Sequence, residues 1–191
     1  MGWDKVVRKS ILTSLAAIGV LLVFIVGALC AFFPSTTMFL AYDLGMDATC
    51  IHMAERVYKG NGEIYFIAYA TEVAIEGDNE NKIISCGEKM IADEKFEEYC
   101  NEKGGNYACF IYGKICVAKY EKGDKEGAVS FAYTSLNGGF AEDNAVIAVY
   151  FAAKKINDTE TMEDIKSRLG QVQVSGAEKD YLDSFSSFVG S

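Results

Sequence analysis

Apolar residues fall along this chain in two different ways. From Ile11 to Phe33 they run almost without interruption, and no charged side chain occurs between Ser10 and Tyr42. Beyond that run they recur every three or four positions, broken by short clusters of Gly, Asp and Asn. The first pattern predicts a helix that is apolar on every side, and the second a series of amphipathic helices. At 1.5 Å per residue the first segment measures roughly 34 Å, enough to cross a hydrocarbon layer about 30 Å thick. A buried core helix is seldom apolar all round for this length. The polar exceptions, Thr13 and Ser14, are tolerable there because their hydroxyls can bond back to helix carbonyls.

A cleaved signal peptide has a shorter apolar region followed by small residues at the cut site. Here the run is too long, and bulky Phe32 and Phe33 follow the only small residues at its end. Leu29 before Cys30 also lacks the small residue that a bacterial-type lipoprotein signal carries. The expectation is a retained single-pass anchor. Lys5, Arg8 and Lys9 precede it, whereas the twenty residues after Phe33 hold Asp43 and Asp47 and no Lys or Arg. Flanking cations resist crossing, so the N-terminus is expected in the cytoplasm and the rest of the chain outside it. Trp3 and the Phe32–Phe33–Pro34 cluster suit the two membrane interfaces. The chain then divides into a short N-terminus (1–10), a transmembrane signal-anchor helix (11–33), a juxtamembrane connection (34–47) and one soluble domain (48–191).

Within the domain, Ile64, Ile67, Ala68, Thr71 and Ile75 share one helical face, and Gly77 with Asp78 supplies a stop. Upstream, Met38, Tyr42, Gly45, Thr49, His52 or Met53, Arg56 and Val57 keep a looser helical step. Further helices are predicted from Asp78 to Met90, Asp93 to Glu102, Tyr107 to Tyr120, Glu126 to Leu136, Glu142 to Lys155, Thr159 to Leu169, and near Glu178 to Val189. The connections are short, so consecutive helices are expected to pack antiparallel. The last one places Tyr181, Leu182, Phe185, Phe188 and Val189 on one stripe, suited either to capping the open end or to docking on a partner.

Two stretches are alike. Tyr58 and Lys59-Gly60 match Tyr120 and Lys122-Gly123, Ala68-Tyr69 matches Ala132-Tyr133, and Gly77-Asp78-Asn79 meets Glu142-Asp143-Asn144. The spacing is about twice a helical-hairpin unit. On these residues the segment Ala48–Leu169 resembles the tetratricopeptide-repeat class of α-solenoid. That resemblance implies an all-α fold: the N-terminal transmembrane helix, then a stack of antiparallel helical hairpins. The class's Trp-Leu-Gly spacing and repeat-closing proline are absent, so the resemblance carries the architecture and no binding residue.

Charge narrows the partners. The chain carries a net −9, and setting aside Asp4, Lys5, Arg8 and Lys9 leaves 26 acidic against 15 basic residues in the remainder. Such a surface repels nucleic acid and anionic head groups, so no nucleic-acid partner is expected. Cys30 lies in the span and Cys50, Cys86, Cys100, Cys109 and Cys116 in the domain. An extracytoplasmic domain permits disulfides, for example between Cys86 and Cys100 or Cys109, but the simpler reading is small buried hydrophobes. No metal spacing occurs, and none of the usual nucleophile, phosphate-loop or metalloprotease motifs. His52 follows Cys50 by two residues, which on a helix sets them on nearly opposite sides. Glu97 with Glu98 and Glu142 with Asp143 read as solvated faces. No catalytic residue, cofactor or metal is expected, although carboxylates gathered from distant helices would escape this reading. Asn157 begins an Asn-x-Thr acceptor site.

The domain is rich in tyrosine, a residue that buries area while keeping a hydroxyl in water. Tyr65, Tyr69, Tyr112 and Tyr133 are the candidate protein-binding residues, lining a groove or else filling helix seams. Tyr58, Tyr99, Tyr107 and Tyr120 belong to the same tyrosine-rich domain. The function expected is a membrane-tethered interaction or scaffold domain in an envelope assembly. The alternative is an accessory subunit of a transporter or secretion complex, packing through its span at Gly19, Gly27 and Ala28. An enzyme with an unrecognised site is the third.

Overall fold

The computed structural model describes residues 3–104, 106–137, 145–169 and 183–188, and among these the chain is helical with no strand. The long apolar run forms α1 (Trp3–Phe32). Its stretch Val7–Phe32 is long and apolar enough to cross a membrane, and it is exposed except at Leu29 and Cys30, which are partly buried. Thr13 donates its hydroxyl to the Lys9 carbonyl at 2.8 Å, the back-bond that lets it sit in an apolar helix.

Pro34 ends α1 and opens α2 (Pro34–Asp43), with Phe33 between them. The ladder almost continues across this point. The Phe33 amide donates to Leu29, and Thr37 donates to Phe33. Proline has no N–H to offer the Cys30 carbonyl four residues back. That oxygen is taken instead by Arg56 of the next helix, whose Nη1 donates to it at 2.8 Å while Nη2 reaches the Ala31 carbonyl at 3.3 Å. A distant side chain thus supplies the donor that the proline removes.

The helices that follow are α3 (Asp47–Asn61), α4 (Ile64–Glu76), α5 (Glu80–Ile91), α6 (Phe96–Lys103), α7 (Tyr107–Glu121), α8 (Lys125–Asn137), α9 (Ala145–Lys155) and α10 (Thr159–Leu169). One turn design recurs among them. After α4, α7 and α9 a residue enters the left-handed region: Asp78 (φ 47), Gly123 (φ 87) and Asn157 (φ 57). In each case the next amide reaches back to close the helix end, from Asn79 to Ala74, Asp124 to Lys119 and Asp158 to Ala153. The side chain of that same residue then caps the next helix, Asn79 accepting from Lys82, Asp124 from Gly127 and Asp158 from Thr161. Two residues therefore stop one helix and start another. The cap of α5 is Asn79 and not Asp78, because Asp78 is spent on the left-handed turn.

Gly45 (φ 65) ends α2 in the same way. The loose helical step that runs through Gly45 is thus two helices, α2 and α3, and their faces differ from the expectation. Met38 and Ala41 are buried from α2, and Cys50, Ile51, Met53 and Ala54 from α3, while His52 and Arg56 are exposed. The stretch 34–47, read as a connection, carries α2, which packs along α3.

Packing proceeds mainly between neighbours in the chain. α3 lies against α2 and α4, and α4 against α5; α5 meets α7, and α7 is covered by α8 and α9 as well. Ile51, Ile67, Met90, Ile111, Ile115, Val146, Val149 and Ile165 are fully enclosed in one core that extends from Met38 to Phe185. Each such side chain contributes about 1.5–3 kcal/mol by leaving water. Helical residues 183–188 join this core through Phe185, 5.5 Å from Tyr150, and Phe188, 6.3 Å from Phe151. Tyr181, Leu182 and Val189 lie outside the described residues, as do Glu142, Asp143 and Asn144 of the sequence repeat.

Two of the remaining pairs do equivalent work, whereas Gly60 lies inside α3 and Gly123 forms a left-handed turn. Tyr58, at the end of α3, donates its hydroxyl to Asp93 beyond α5 at 2.7 Å. Tyr120, at the end of α7, donates to Asp158 beyond α9 at 2.6 Å. Ala68 and Ala132 are both fully buried.

Candidate functional site

The spacing of aromatics on α2 and α4 builds an exposed face. Phe39 and Tyr42 are one turn apart on α2, and Tyr65 and Tyr69 one turn apart on α4. Because α3 joins these two helices, the four rings meet around Tyr69. Its ring centroid lies 5.7 Å from Phe39, 5.6 Å from Tyr42 and 6.1 Å from Tyr65. Tyr69 itself is half-buried, while Phe39, Tyr42 and Tyr65 remain 43, 40 and 42 % exposed. Three large aromatic side chains left this open, in contact through a fourth, form a patch of the kind that binds proteins.

Carboxylates rim it. The Tyr42 hydroxyl donates to Glu76 Oε2 at 3.2 Å, and this hydrogen bond raises its pKa. Burial, together with the nearby Cys50, Tyr42, Tyr65 and Asp43, pushes Tyr69 up to about 12. The Tyr107 hydroxyl donates to Glu72 Oε1 at 2.5 Å, and burial and this bond both raise its pKa. Tyr107 also carries the aromatic band onward, with Tyr99 at 6.0 Å and Phe110 at 6.4 Å. The Tyr42 and Tyr107 phenols stay protonated at neutral pH and serve as donors.

The other two candidate tyrosines sit elsewhere. Tyr112 is 8 % exposed and packs between Phe96 at 6.1 Å and Phe131 at 5.5 Å, inside the body. Tyr133 is half-buried and donates its hydroxyl to the Ile165 carbonyl at 2.8 Å, closing the seam between α8 and α10. The structure brings Tyr65 and Tyr69 together and leaves Tyr112 and Tyr133 apart from them. It adds Phe39 and Tyr42, which the sequence reading did not single out. Their one-turn spacing was the available sign.

On α1, a side chain built at Gly19 or Gly27 would meet nothing within 4 Å. Ala28 lies about 180° around the helix from Gly19, so the three small residues do not form a single stripe.

The thiols of the body are chemically quiet. None of the six cysteines forms a disulfide. Desolvation raises Cys50 and Cys86 to about 11 and Cys100 and Cys116 to about 12, so little thiolate forms at neutral pH. Cys50 is buried and His52 exposed, on opposite sides of α3. Among the described residues no group of three His, Cys, Asp or Glu side chains is placed to hold a metal ion. Glu97 and Glu98 face solvent on α6. No family model, curated protein or solved structure matches this chain.

Proposed function

We propose that this protein is a single-pass membrane-tethered interaction module. Its helices form a tetratricopeptide-repeat-like stack facing away from the cytoplasm, and it acts by binding another protein without catalysis. The observation that carries this reading is the aromatic face, where Phe39, Tyr42 and Tyr65 stand open around Tyr69. Its rim of Glu72, Glu76 and Asp43 suits a partner that presents Arg or Lys to the rings. The alternation of α3, α5, α7 and α9 with α4, α6, α8 and α10 supports the stacked-hairpin description, since α5 meets α7 and α7 meets α9. The apolar length of α1, exposed from Val7 to Ala28, supports the anchor.

A photo-crosslinking amino acid at Tyr65, in intact membranes, is expected to capture a discrete partner. Phe39→Ala with Tyr42→Ala should abolish the adduct while lowering stability by about 2–3 kcal/mol, because each ring gives up one contact with Tyr69. Capture that persists in the double variant would refute the assignment of this face.

Orientation is tested with an impermeant maleimide. Ser130 is exposed on α8. A Ser130→Cys variant is expected to label in intact cells, and the five native thiols of the body are not, because they are buried. Labelling of Ser130→Cys only after lysis would place the body in the cytoplasm.

The accessory-subunit reading keeps one specific support, the open space beside Gly19 and Gly27 on α1. It requires that Gly19→Leu or Gly27→Leu release the partner while the aromatic variants retain it.

A further inference from the structure

Beside α3 the acidic body has a cavity around which cations prevail. His52, Arg56 and Lys59 follow one another at turn spacing along the exposed side of α3, and Lys89 of α5 closes the opposite wall. Between them lies an open cavity of about 540 Å³. The one carboxylate on its wall, Glu55, is held between two ammonium groups, Lys82 at 2.5 Å and Lys89 at 2.6 Å. Burial works against that carboxylate, yet the bonds and charges of Lys82 and Lys89 outweigh it and lower its pKa. Arg56, Lys59 and Lys89 thus line this cavity with Glu55, whose charge is met by Lys82 and Lys89, in a chain whose net charge is −9.

The cavity's position is fixed by Arg56. Its guanidinium is bonded to the carbonyls of Cys30 and Ala31, within the last turn of α1 and beside Phe32 and Phe33. Of five guanidinium N–H groups, two are used on α1, and the rest have room to donate into the cavity. If α1 spans a bilayer, its last turn meets the head-group layer, and a forked cation there matches phosphate geometry.

We propose that this cavity binds the phosphate of an anionic glycerophospholipid from the adjoining leaflet, with Arg56 and Lys59 as its principal donors and Lys89 completing the cradle. The proposal rests on the reading of α1 as a membrane span. It departs from the body's overall acidity, which repels anionic surfaces. The lipid head is drawn to the exit point of the helix, where it complements the cations and leaves the acidic faces in water.

The test uses the full chain extracted in mild detergent from vesicles of equal phosphatidylglycerol and phosphatidylcholine, with retained lipid read by native mass spectrometry. The wild type is expected to retain phosphatidylglycerol preferentially. Arg56→Gln with Lys59→Gln should reduce that preference about tenfold, the scale of losing charge-assisted hydrogen bonds. Lys114→Gln with Lys155→Gln, which removes equal charge from exposed positions elsewhere, should leave it unchanged. Excess inorganic phosphate should displace little lipid. Full displacement would mean that the site takes free phosphate and would overturn the lipid assignment. Equal retention of both lipids by the wild type, or unaltered preference in the Arg56 and Lys59 variant, would overturn it as well. Resistance to carbonate extraction, measured on the same vesicles, separates the two levels. A resistant but unselective protein refutes the lipid site alone, and an extractable wild type refutes the span together with it.

Discussion

Replacing Asp158 with alanine is expected to destabilise the protein by about 3 kcal/mol, through two losses at once. The aspartate caps α10, accepting from the Thr161 amide at 3.3 Å and its hydroxyl at 2.8 Å. A lost cap costs about 1 kcal/mol. The same carboxylate accepts from the Tyr120 hydroxyl at 2.6 Å, and Tyr120 is only 5 % exposed. Stranding that phenol costs about 1–3 kcal/mol. The ion pair with Lys125 at 2.7 Å adds less, since the lysine is half exposed. Asp158→Asn keeps an acceptor in place and should cost about 1 kcal/mol. Chemical denaturation of the detergent-solubilised chain measures both, and equal costs for the two variants would contradict this division.

The same residue carries an acid dependence. Hydrogen bonds from Lys125, then Tyr120, hold the Asp158 carboxyl well below the usual carboxylate range, with burial opposing and Thr161 adding to the effect. A carboxyl depressed in the folded state stabilises it fully above the unfolded pKa of about 4, and that contribution fades as pH falls toward the folded value. The stability gap between wild type and Asp158→Asn should therefore stay constant from about pH 7 to about pH 5 and narrow as the pH falls below about 4.

Gly87→Val is expected to be the other severe substitution, costing about 3 kcal/mol or more. Gly87 is where α5 approaches α7. A Cβ built there would stand 2.6 Å from Ile115 Cδ1 and 2.7 Å from Ile115 Cγ1, with Thr71 Cγ2 at 3.7 Å behind. Ile115 is fully buried, so it has no solvent into which to swing. Gly87→Ala should cost less, because alanine returns about 1 kcal/mol of helix propensity. Ile115→Val alone costs about 1 kcal/mol. If the close approach is the cause, Gly87→Ala with Ile115→Val will be more stable than the two costs summed. Strict additivity would show that the helices separate freely at this point.

Much of this architecture is legible in the sequence because its punctuation is local. Thr159–Leu169 is α10 as predicted, and Tyr107–Tyr120 is α7 to within one residue, since Gly123-Asp124 and Asn157-Asp158 each carry the stop and the following start. What escapes is non-local. Arg56 reads as a polar residue on a loose helical face, and only the approach of α3 to the end of α1 reveals its use. Tyr65 and Tyr112 look alike in sequence. They differ because α7 is enclosed by α5, α8 and α9, whereas the face of α4 that carries Tyr65 is left open. Phe39 and Tyr42 join Tyr65 and Tyr69 across more than twenty residues of chain, a distance at which periodicity carries no information.

Only Phe33 separates α1 from α2, hydrogen bonds cross that point, and Arg56 ties α3 to the same turn. The protein accordingly has no swivel between α1 and the body. Each residue of winding in α1 corresponds to about 100° of azimuth. The rotational setting of α1 therefore dictates the compass direction in which the aromatic face looks, and torque applied to one is delivered to the other.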